Sequence, residues 1–294
     1  MEYATLALRL RASASAGVRK GRGMPDQTQT GIADIYGVPM YYEAAGTGHP
    51  LILVHAGIAD NRMWDDQVRA FAQHFWVLRY DMRGYGKTPI VAGAFSHWQD
   101  LHDLMKFLGI RKAHLVGCSK GGAAVLDFAL EHPGMVSALV LVASAPGGYR
   151  FEGDPPPQWD EMVAAFKQGD FARAAELEVQ IWVDGPQRKP EQVDPTVRAR
   201  VQEMDMIALA NEAKKLGEEQ PLEPAAVNRL HEIAAPTLVV IGDLDDVNLV
   251  KSGEVLAGSI PHAQKAVIAG AAHLPNMEKP EEFNRAVLDF LTGL

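Results

Sequence analysis

The chain has 294 residues, with 28 Lys and Arg against 37 Asp and Glu, which gives a formal net charge of −9. This acidic balance argues against a nucleic-acid-binding protein, and the single cysteine excludes an intramolecular disulfide and a cysteine-rich metal site. No apolar run reaches the roughly 20 residues of a membrane-spanning helix. We therefore expect a soluble enzyme or binding protein that needs neither a metal nor a cofactor.

The first 23 residues differ in composition from the rest of the chain. They carry a single acid and five basic residues, Arg9, Arg11, Arg19, Lys20 and Arg22. Because Arg9 and Arg11 interrupt the apolar stretch, the segment does not fit a secretory signal. We expect residues 1–30 to form a disordered extension of a cytoplasmic protein. Organelle targeting by residues 1–23 is the alternative, since transit peptides are also rich in arginine and poor in acids.

Strand and helix patterns alternate from residue 31 to residue 146. A hairpin is expected around Gly37, and a helix is expected between Ser96 and Gly109. Short runs of Val, Ile and Leu that are separated by helical patterns are typical of a buried parallel sheet. The predicted strands are 32–36, 40–44, 51–54, 76–80, 114–116 and 138–143.

The alternation stops between residues 147 and 232, where no strong strand pattern occurs. Four helical stretches are predicted there, at 160–166, 171–182, 193–206 and 225–233. Strand patterns resume at 236–241 and 265–269, and a final helix is expected at 280–291. The sequence therefore predicts an α/β core formed by residues 31–146 and 233–294, interrupted by a helical insertion at 147–232.

Ser119 is the candidate nucleophile. The pentapeptide Gly117-Cys118-Ser119-Lys120-Gly121 matches the pattern G-x-S-x-G and lies between a predicted strand and a predicted helix, which is the context that this motif requires. The turn is strained, so it needs small residues on both sides of the serine. The N-terminus of the helix and the backbone N–H of Lys120 would face an oxyanion.

A catalytic serine requires a base, and the base requires an orienting acid. His273 follows the last predicted strand and so lies at the carboxyl edge of the sheet, where the sites of open α/β folds lie. His55 also follows a strand, but it precedes Ser119, whereas the expected chain order is nucleophile, acid, histidine. The loop after strand 236–241 offers three candidate acids, Asp243, Asp245 and Asp246.

From about residue 31 onward, the chain resembles the α/β-hydrolase superfamily, and in particular its capped serine esterases, cofactor-free haloperoxidases and enol-lactonases. The resemblance lies in residues 51–64 (LILVHAGIADNRMW), 80–88 (YDMRGYGKT), 116–122, 236–245 (PTLVVIGDLD) and 270–273. It implies a mostly parallel central sheet flanked by helices, with a helical cap at 147–232. It also implies that Asp245, the last residue of a G-x-x-D pattern, is the acid, and that residues 81–86 are mostly structural.

The resemblance implies that the backbone N–H groups of Gly57 and Lys120 form an oxyanion hole. Two positions depart from the family pattern: Ala56 replaces a usual glycine, and Lys120 stands where Met, Gln or Leu is common. A cation in the first turn of a helix opposes the helix dipole. Two interpretations of its side chain stay open. It pairs with a carboxylate under the cap, such as Asp81, or it binds an acidic group of the substrate.

The implied function is hydrolysis of small to medium apolar carboxylic esters through an acyl-enzyme formed by Ser119, Asp245 and His273. The only expected partner is this small-molecule ester, and the oligomeric state is left open. Seven apolar residues of the insertion are candidates for lining the acyl pocket, namely Trp159, Met162, Phe166, Trp182, Met204, Met206 and Leu209. The alternatives are lactone or carbon–carbon hydrolysis, hydroxynitrile lyase or perhydrolase chemistry with the same triad, and a ligand receptor without turnover.

Overall fold

The structure, a computed structural model, describes residues 28–294. The predicted extension at 1–30 and its possible targeting role therefore lie outside the described residues, except for residues 28–30. The first strand begins at Gln29, two residues before the predicted boundary at 31. Gln29 and Thr30 pair with Ala44 and Glu43 of the next strand, and because both residues of the first strand are polar, an apolar pattern does not reveal this pairing.

The central sheet has eight strands in the order β1-β2-β4-β3-β6-β7-β9-β10, and β5 and β8 form a separate parallel pair. The strands are β1 (Gln29–Ile35), β2 (Val38–Gly46), β3 (Pro50–Val54), β4 (Trp76–Tyr80), β5 (Gly93–Phe95), β6 (Ala113–Cys118), β7 (Val136–Val142), β8 (Gly217–Glu219), β9 (Thr237–Gly242) and β10 (Gln264–Ile268). Strands β1 and β2 are antiparallel to their neighbours, whereas the other six are mutually parallel. This mostly parallel sheet confirms the predicted fold class.

Helices cover both faces of the sheet. They are α1 (Asp65–Phe71), α2 (His97–Phe107), α3 (Lys120–Glu131), α4 (Trp159–Gln168), α5 (Phe171–Glu178), α6 (Pro195–Glu212), α7 (Val247–Ser259), α8 (Pro275–Glu278) and α9 (Pro280–Thr292). Alternate residues of a strand point to opposite faces, so Leu51 and Leu53 of β3 pack with α1 and α9. Ile52 and Val54 pack with α2, α3 and α7 on the other face. None of the helices within residues 28–294 is long and apolar enough to cross a membrane.

Three of the four helical stretches predicted between residues 147 and 232 are present. Helix α4 covers the first, α5 and a π-helical turn (Val179–Asp184) cover the second, and α6 covers the third. The fourth prediction, at 225–233, is wrong, because the segment forms two single 3₁₀ turns, Ala226–Asn228 and Leu230–Glu232. Its apolar spacing reflects burial against the core. We propose that residues 147–232 are the helical cap, since several of them line the cavity beside Ser119.

Candidate active site

Ser119 occupies a sharp turn between β6 and α3. Its backbone angles, φ 53° and ψ −116°, lie in a region that residues with a side chain rarely adopt. The turn is held on both sides, because Ser119 N–H donates to Val142 O (2.8 Å) and Ser119 O accepts from Ala123 N–H (3.0 Å). The surrounding structure therefore holds this serine at the cavity beside it.

Two glycines allow this turn to pack closely against the sheet. A Cβ atom at Gly117 would collide with the backbone of Gly121, and a Cβ atom at Gly121 would collide with the carbonyl oxygens of Val54 and His55. The motif therefore needs glycine at both positions because backbone atoms, which cannot move aside as a flexible side chain can, fill the space. This agrees with the expectation that small residues flank the nucleophile.

The strain at Ser119 leads to a stability prediction. We expect Ser119→Gly to have a free energy of unfolding about 1 kcal/mol higher than Ser119→Ala, because relief of the positive φ exceeds the entropic cost of glycine. Urea unfolding of both variants measures this difference. The control is Ser137 in β7, where the glycine variant should be less stable than the alanine variant. A Ser119→Gly protein that is less stable than Ser119→Ala would rule out strain at this residue.

His273 and Asp245 form a hydrogen-bonded pair at the carboxyl edge of the sheet. His273 Nδ1 lies 2.9 Å from Asp245 Oδ2, and the two side chains are 4% and 3% exposed. The ring of His273 packs on Trp182 at a centroid distance of 5.1 Å, and His273 N–H donates to Trp182 O. With Nδ1–H donating to the carboxylate, Nε2 is left with a lone pair that can accept a proton.

Ser119 lies next to this pair in the fold, because the Sγ atom of the preceding Cys118 is 3.7 Å from His273 O. Within residues 28–294, the Ser119 hydroxyl makes no hydrogen bond, either to His273 or to another group. Serine–histidine bonds are often long before a substrate binds, so this geometry is compatible with a nucleophile and its base. The structure thus brings Asp245 and His273 into direct contact, and the residue before Ser119 contacts the backbone of His273.

The three carboxylates of the acid loop have three different partners. Asp243 Oδ1 accepts from Gly270 N–H (2.6 Å), and Asp246 caps α7 by accepting from Asn248 N–H (2.8 Å). Only Asp245 faces the histidine, and its second oxygen accepts from Asp246 N–H (2.7 Å). The contacts therefore show that Asp243 binds the backbone of Gly270, that Asp246 caps a helix, and that Asp245 pairs with His273.

The rival histidine, His55, is fully buried, and both of its ring nitrogens are engaged. Nε2 accepts from Met82 N–H (2.9 Å), which leaves Nδ1–H to donate to Ala56 O (2.8 Å). Burial lowers the pKa of this histidine, so it is held neutral. His55 therefore joins the segment after β3 to the segment after β4, and no ring nitrogen is left to act as a base.

Asp81 holds together the segment 81–86, which the resemblance predicts to be mostly structural. Its Oδ1 accepts from the backbone N–H of Asn61 (2.9 Å) and from the side chain of Asn61, and its Oδ2 accepts from Lys87 N–H (2.8 Å). A Cβ atom at Gly86, which has a φ of 50°, would collide with the Asp81 carboxylate. These contacts support a structural role for the segment 81–86.

The two candidate oxyanion donors lie on the same side of the cavity. Gly57 and Lys120 both line it, and a Cβ atom at Gly57 would be 3.5 Å from the Cβ of Lys120. Neither backbone N–H donates to another group within residues 28–294. The methyl group of Ala56 is accommodated in the apolar core, and Ala56 N–H points at Met63 Sδ (3.2 Å). The unusual alanine therefore leaves the neighbouring Gly57 N–H free.

The Lys120 side chain pairs with Glu219 of β8, at 2.7 Å, and not with Asp81. Burial alone would lower the pKa of Lys120, but Tyr85 and Glu219 outweigh burial and raise it above its usual value. Glu219 lies 99 residues further along the chain, so sequence spacing could not identify it. Of the two interpretations of Lys120, these contacts favour a lysine that pairs with a carboxylate under the cap.

The cavity beside Ser119 has a volume of about 450 Å³, and its lining is more acidic than expected. Of the seven apolar residues that were candidates for the lining, only Leu209 contributes. Four acids line it instead, Glu178, Asp205, Glu212 and Glu219. One signal in the sequence marks Asp205, because this acid lies four residues from Val201 and from Leu209, and both are buried. An acid within an apolar stripe faces the interior of the protein.

Three comparisons relate the chain to known proteins. It is 29% identical over 264 residues to a 2-hydroxy-6-oxononadienedioate/2-hydroxy-6-oxononatrienedioate hydrolase of Burkholderia vietnamiensis, covering 86% of this chain and 90% of that protein. It is 26% identical to a pimeloyl-(acyl-carrier protein) methyl ester esterase of Vibrio atlanticus, covering 85% of this chain and 97% of that protein. The enol-lactonase structure of Burkholderia xenovorans is 25% identical with a TM-score of 0.73, covering 89% of this chain and 99% of that one.

The names of these relatives indicate different substrates. The family model for the alpha/beta hydrolase fold matches residues 49–280, which include the serine turn, the acid loop and His273. The match covers well over half of the chain. The chain therefore belongs to the α/β-hydrolase fold family.

Proposed function

We propose that the protein is a serine hydrolase that cleaves carboxylic esters through an acyl-enzyme. The observation that carries the proposal is the buried 2.9 Å contact between His273 Nδ1 and Asp245 Oδ2, beside a serine held in a strained turn at a cavity. A serine, an orienting carboxylate and an imidazole, which occur in this order along the chain, are the parts that acyl transfer requires. A cavity of about 450 Å³ suits a small to medium substrate.

In the first step, His273 Nε2 takes the proton of Ser119 as Oγ attacks the ester carbonyl carbon. The carbonyl oxygen becomes an oxyanion that accepts hydrogen bonds from Gly57 N–H and Lys120 N–H, each of which stabilises the transition state by about 3 kcal/mol. The first turn of α3 adds the positive end of its helix dipole. His273 then gives its proton to the departing alcohol, and the acyl group stays on Ser119.

In the second step, His273 takes a proton from water as the water oxygen attacks the acyl-enzyme. Collapse of the second tetrahedral intermediate releases the acid and returns the proton to Ser119. Asp245 keeps its negative charge throughout and stabilises the imidazolium in both steps. Because Asp245 and His273 are almost fully buried, little water weakens this charge interaction.

The test is a series of p-nitrophenyl esters from acetate to decanoate, combined with labelling by a fluorophosphonate and mass mapping of the adduct. We expect turnover that peaks at short to medium chains, and an adduct on Ser119 that the Ser119→Ala variant does not form. An adduct on Ser119 without turnover of any ester would contradict the esterase proposal. Lactones, as in the name of the enol-lactonase, and carbon–carbon substrates are then the next substrates to assay. Protein that stays unlabelled would overturn the nucleophile itself.

A further inference from the structure

Three carboxylates of the proposed cap face the cavity that contains Ser119. Glu178 ends α5, and Asp205 and Glu212 lie two turns apart on α6, so they share one face of that helix. We call these three residues the acidic wall. Helices α5 and α6 pack against each other, which places the acids of both helices along one side of the cavity.

Within residues 28–294, none of these three side chains forms a hydrogen bond or an ion pair with the protein. Asp205 is only 1% exposed, and its Oδ2 atom has no hydrogen-bond partner although the residue lines the cavity. Burying an ionised carboxylate without a partner is unfavourable by several kcal/mol in the ε ≈ 4–20 range of a protein interior. A buried carboxylate without a partner in the lining of a cavity indicates a partner that arrives with a ligand.

The cations that also line the cavity do not neutralise the acidic wall. Lys120 is paired with Glu219, and Arg83 forms a buried double contact with Asp100. The remaining cation, Lys215, is exposed and forms no ion pair within residues 28–294. The wall therefore adds three acids to the cavity lining that no ion pair within residues 28–294 neutralises.

Burial and mutual repulsion raise the pKa values of two carboxylates in the acidic wall. Burial and the nearby Glu212 raise the pKa of Glu178 to about 7. Burial, Glu178 and Glu212 raise the pKa of Asp205 well above its usual value. A cation bound to the wall would favour the ionised form of both carboxylates.

The geometry favours an organic cation over a metal ion. Within residues 28–294, no group of three His, Cys, Asp or Glu side chains is arranged to hold a metal. The acids are instead spread along two turns of α6 and the end of α5, in the same cavity as Ser119. An alkyl chain that ends in an ammonium or guanidinium group could extend from the carbonyl at Ser119 to these acids.

We infer that the cavity selects substrates whose acyl or alcohol part carries an ammonium or guanidinium group that binds to the acidic wall of Glu178, Asp205 and Glu212. The inference rests on the proposed function for the position of the scissile ester at Ser119. It changes the earlier expectation of an apolar ester, because the acyl pocket is lined by acids on the side of the proposed cap.

The first test compares three p-nitrophenyl esters whose acyl chains share five methylene groups and differ only at the end. These are the esters of 6-aminohexanoate (cationic), heptanoate (neutral) and hydrogen pimelate (anionic). We expect kcat/KM at pH 8 to be about tenfold higher for the cationic ester than for the neutral one, and lowest for the anionic one. Asp205→Asn and Glu178→Gln should each reduce the cationic-to-neutral ratio about tenfold.

The matched control is Glu218→Gln, which removes one negative charge from β8 at an exposed residue outside the cavity lining. We expect this variant to keep the cationic-to-neutral ratio of the wild type. A wild-type ratio near or below one would overturn the inference and leave the esterase proposal standing. A ratio that falls equally in Glu218→Gln and Asp205→Asn would also overturn it, because the effect would then be the net charge of the protein.

Binding without turnover separates this inference from the proposed function. Calorimetry on the Ser119→Ala protein should show that hexylammonium binds and that 1-hexanol binds at least about tenfold more weakly, with the difference lost in Ser119→Ala/Asp205→Asn. If the protein hydrolyses no ester, this result would still support cation binding by the acidic wall and would refute only the esterase proposal. Asp205→Asn should also raise Tm at pH 8, since it removes a buried carboxyl group that has no partner in the protein and that Glu178 and Glu212 repel. A lower Tm would indicate a structural role for Asp205 and count against the inference.

Discussion

Replacing Ser119 by alanine is expected to lower kcat for p-nitrophenyl ester hydrolysis by a factor of about 10⁴ to 10⁶. The serine oxygen forms the acyl-enzyme, so its loss leaves only direct attack by water in the same cavity. Residual rate acceleration of about 10³ over the uncatalysed reaction should remain, because the backbone N–H groups of Gly57 and Lys120 are unchanged. Initial rates at saturating ester, with active sites counted in the wild type by fluorophosphonate titration, measure the loss.

The variant should fold normally, because alanine at φ 53° is as strained as serine and the turn is held by contacts of backbone atoms. Ser144→Ala is the matched control. Ser144 is a buried serine two residues after strand β7, and its hydroxyl lies outside the cavity lining and donates to Val142 O, which also accepts from Ser119 N–H. We expect its kcat to stay within about threefold of the wild type, as for a change away from the reacting atoms. If Ser119→Ala keeps more than a tenth of the activity, a different residue is the nucleophile.

The parts of the fold that depend on neighbouring residues could be predicted from the sequence. The buried strands are continuous runs such as Leu51 to Val54, and both faces of the sheet are covered, so their composition alone marks them. The serine turn was predictable for the same reason. Its glycines are needed within a few residues of Ser119, and the strand and helix around it are directly adjacent in the chain.

Features that depend on contacts between distant segments could not be predicted in this way. The partner of Lys120 lies in β8, a three-residue strand of Gly, Glu and Glu that carries no apolar pattern. Helix α7 has no counterpart among the predicted helices, because its cap, Asp246, lies in the loop that also offers the candidate catalytic acids. The acidic lining of the cavity arises from packing α5 against α6, and the sequence of each helix alone does not show which of its acids face Ser119.

A sequence motif alone does not distinguish Asp245 from the two neighbouring acids. Asp243, Asp245 and Asp246 are all carboxylates within four residues, and the sequence ranks them only through a resemblance to other hydrolases. In the structure, the backbone of the loop determines which of the three acids reaches His273. The loop after β9 turns one side chain to Gly270 N–H, one to His273 and one to the first turn of α7. Replacing each acid by its amide therefore tests the assignment directly.

Asp245→Asn is expected to lower kcat by a factor of about 10⁴ with little change in stability. The asparagine oxygen can keep the hydrogen bond from Asp246 N–H, which turns the amide NH₂ group towards His273 Nδ1. Nδ1 then has to accept that hydrogen bond, so the ring proton moves to Nε2. A histidine with a proton on Nε2 cannot take the proton of Ser119, and the imidazolium of the transition state also loses its negative partner.

The two neighbouring amide variants provide the comparison. Asp246→Asn should preserve the cap of α7, since asparagine is as good a capping residue as aspartate, and Asp243→Asn can still accept from Gly270 N–H. We expect both to keep kcat within about threefold of the wild type, because neither acid touches His273. The measurement is kcat for p-nitrophenyl heptanoate across pH 6 to 10, with urea unfolding of every variant. A large loss of kcat in Asp243→Asn or Asp246→Asn, with Asp245→Asn active, would transfer the role of the acid to that residue. Comparable losses in all three variants with lowered stability would instead mean that the loop needs its charge to fold.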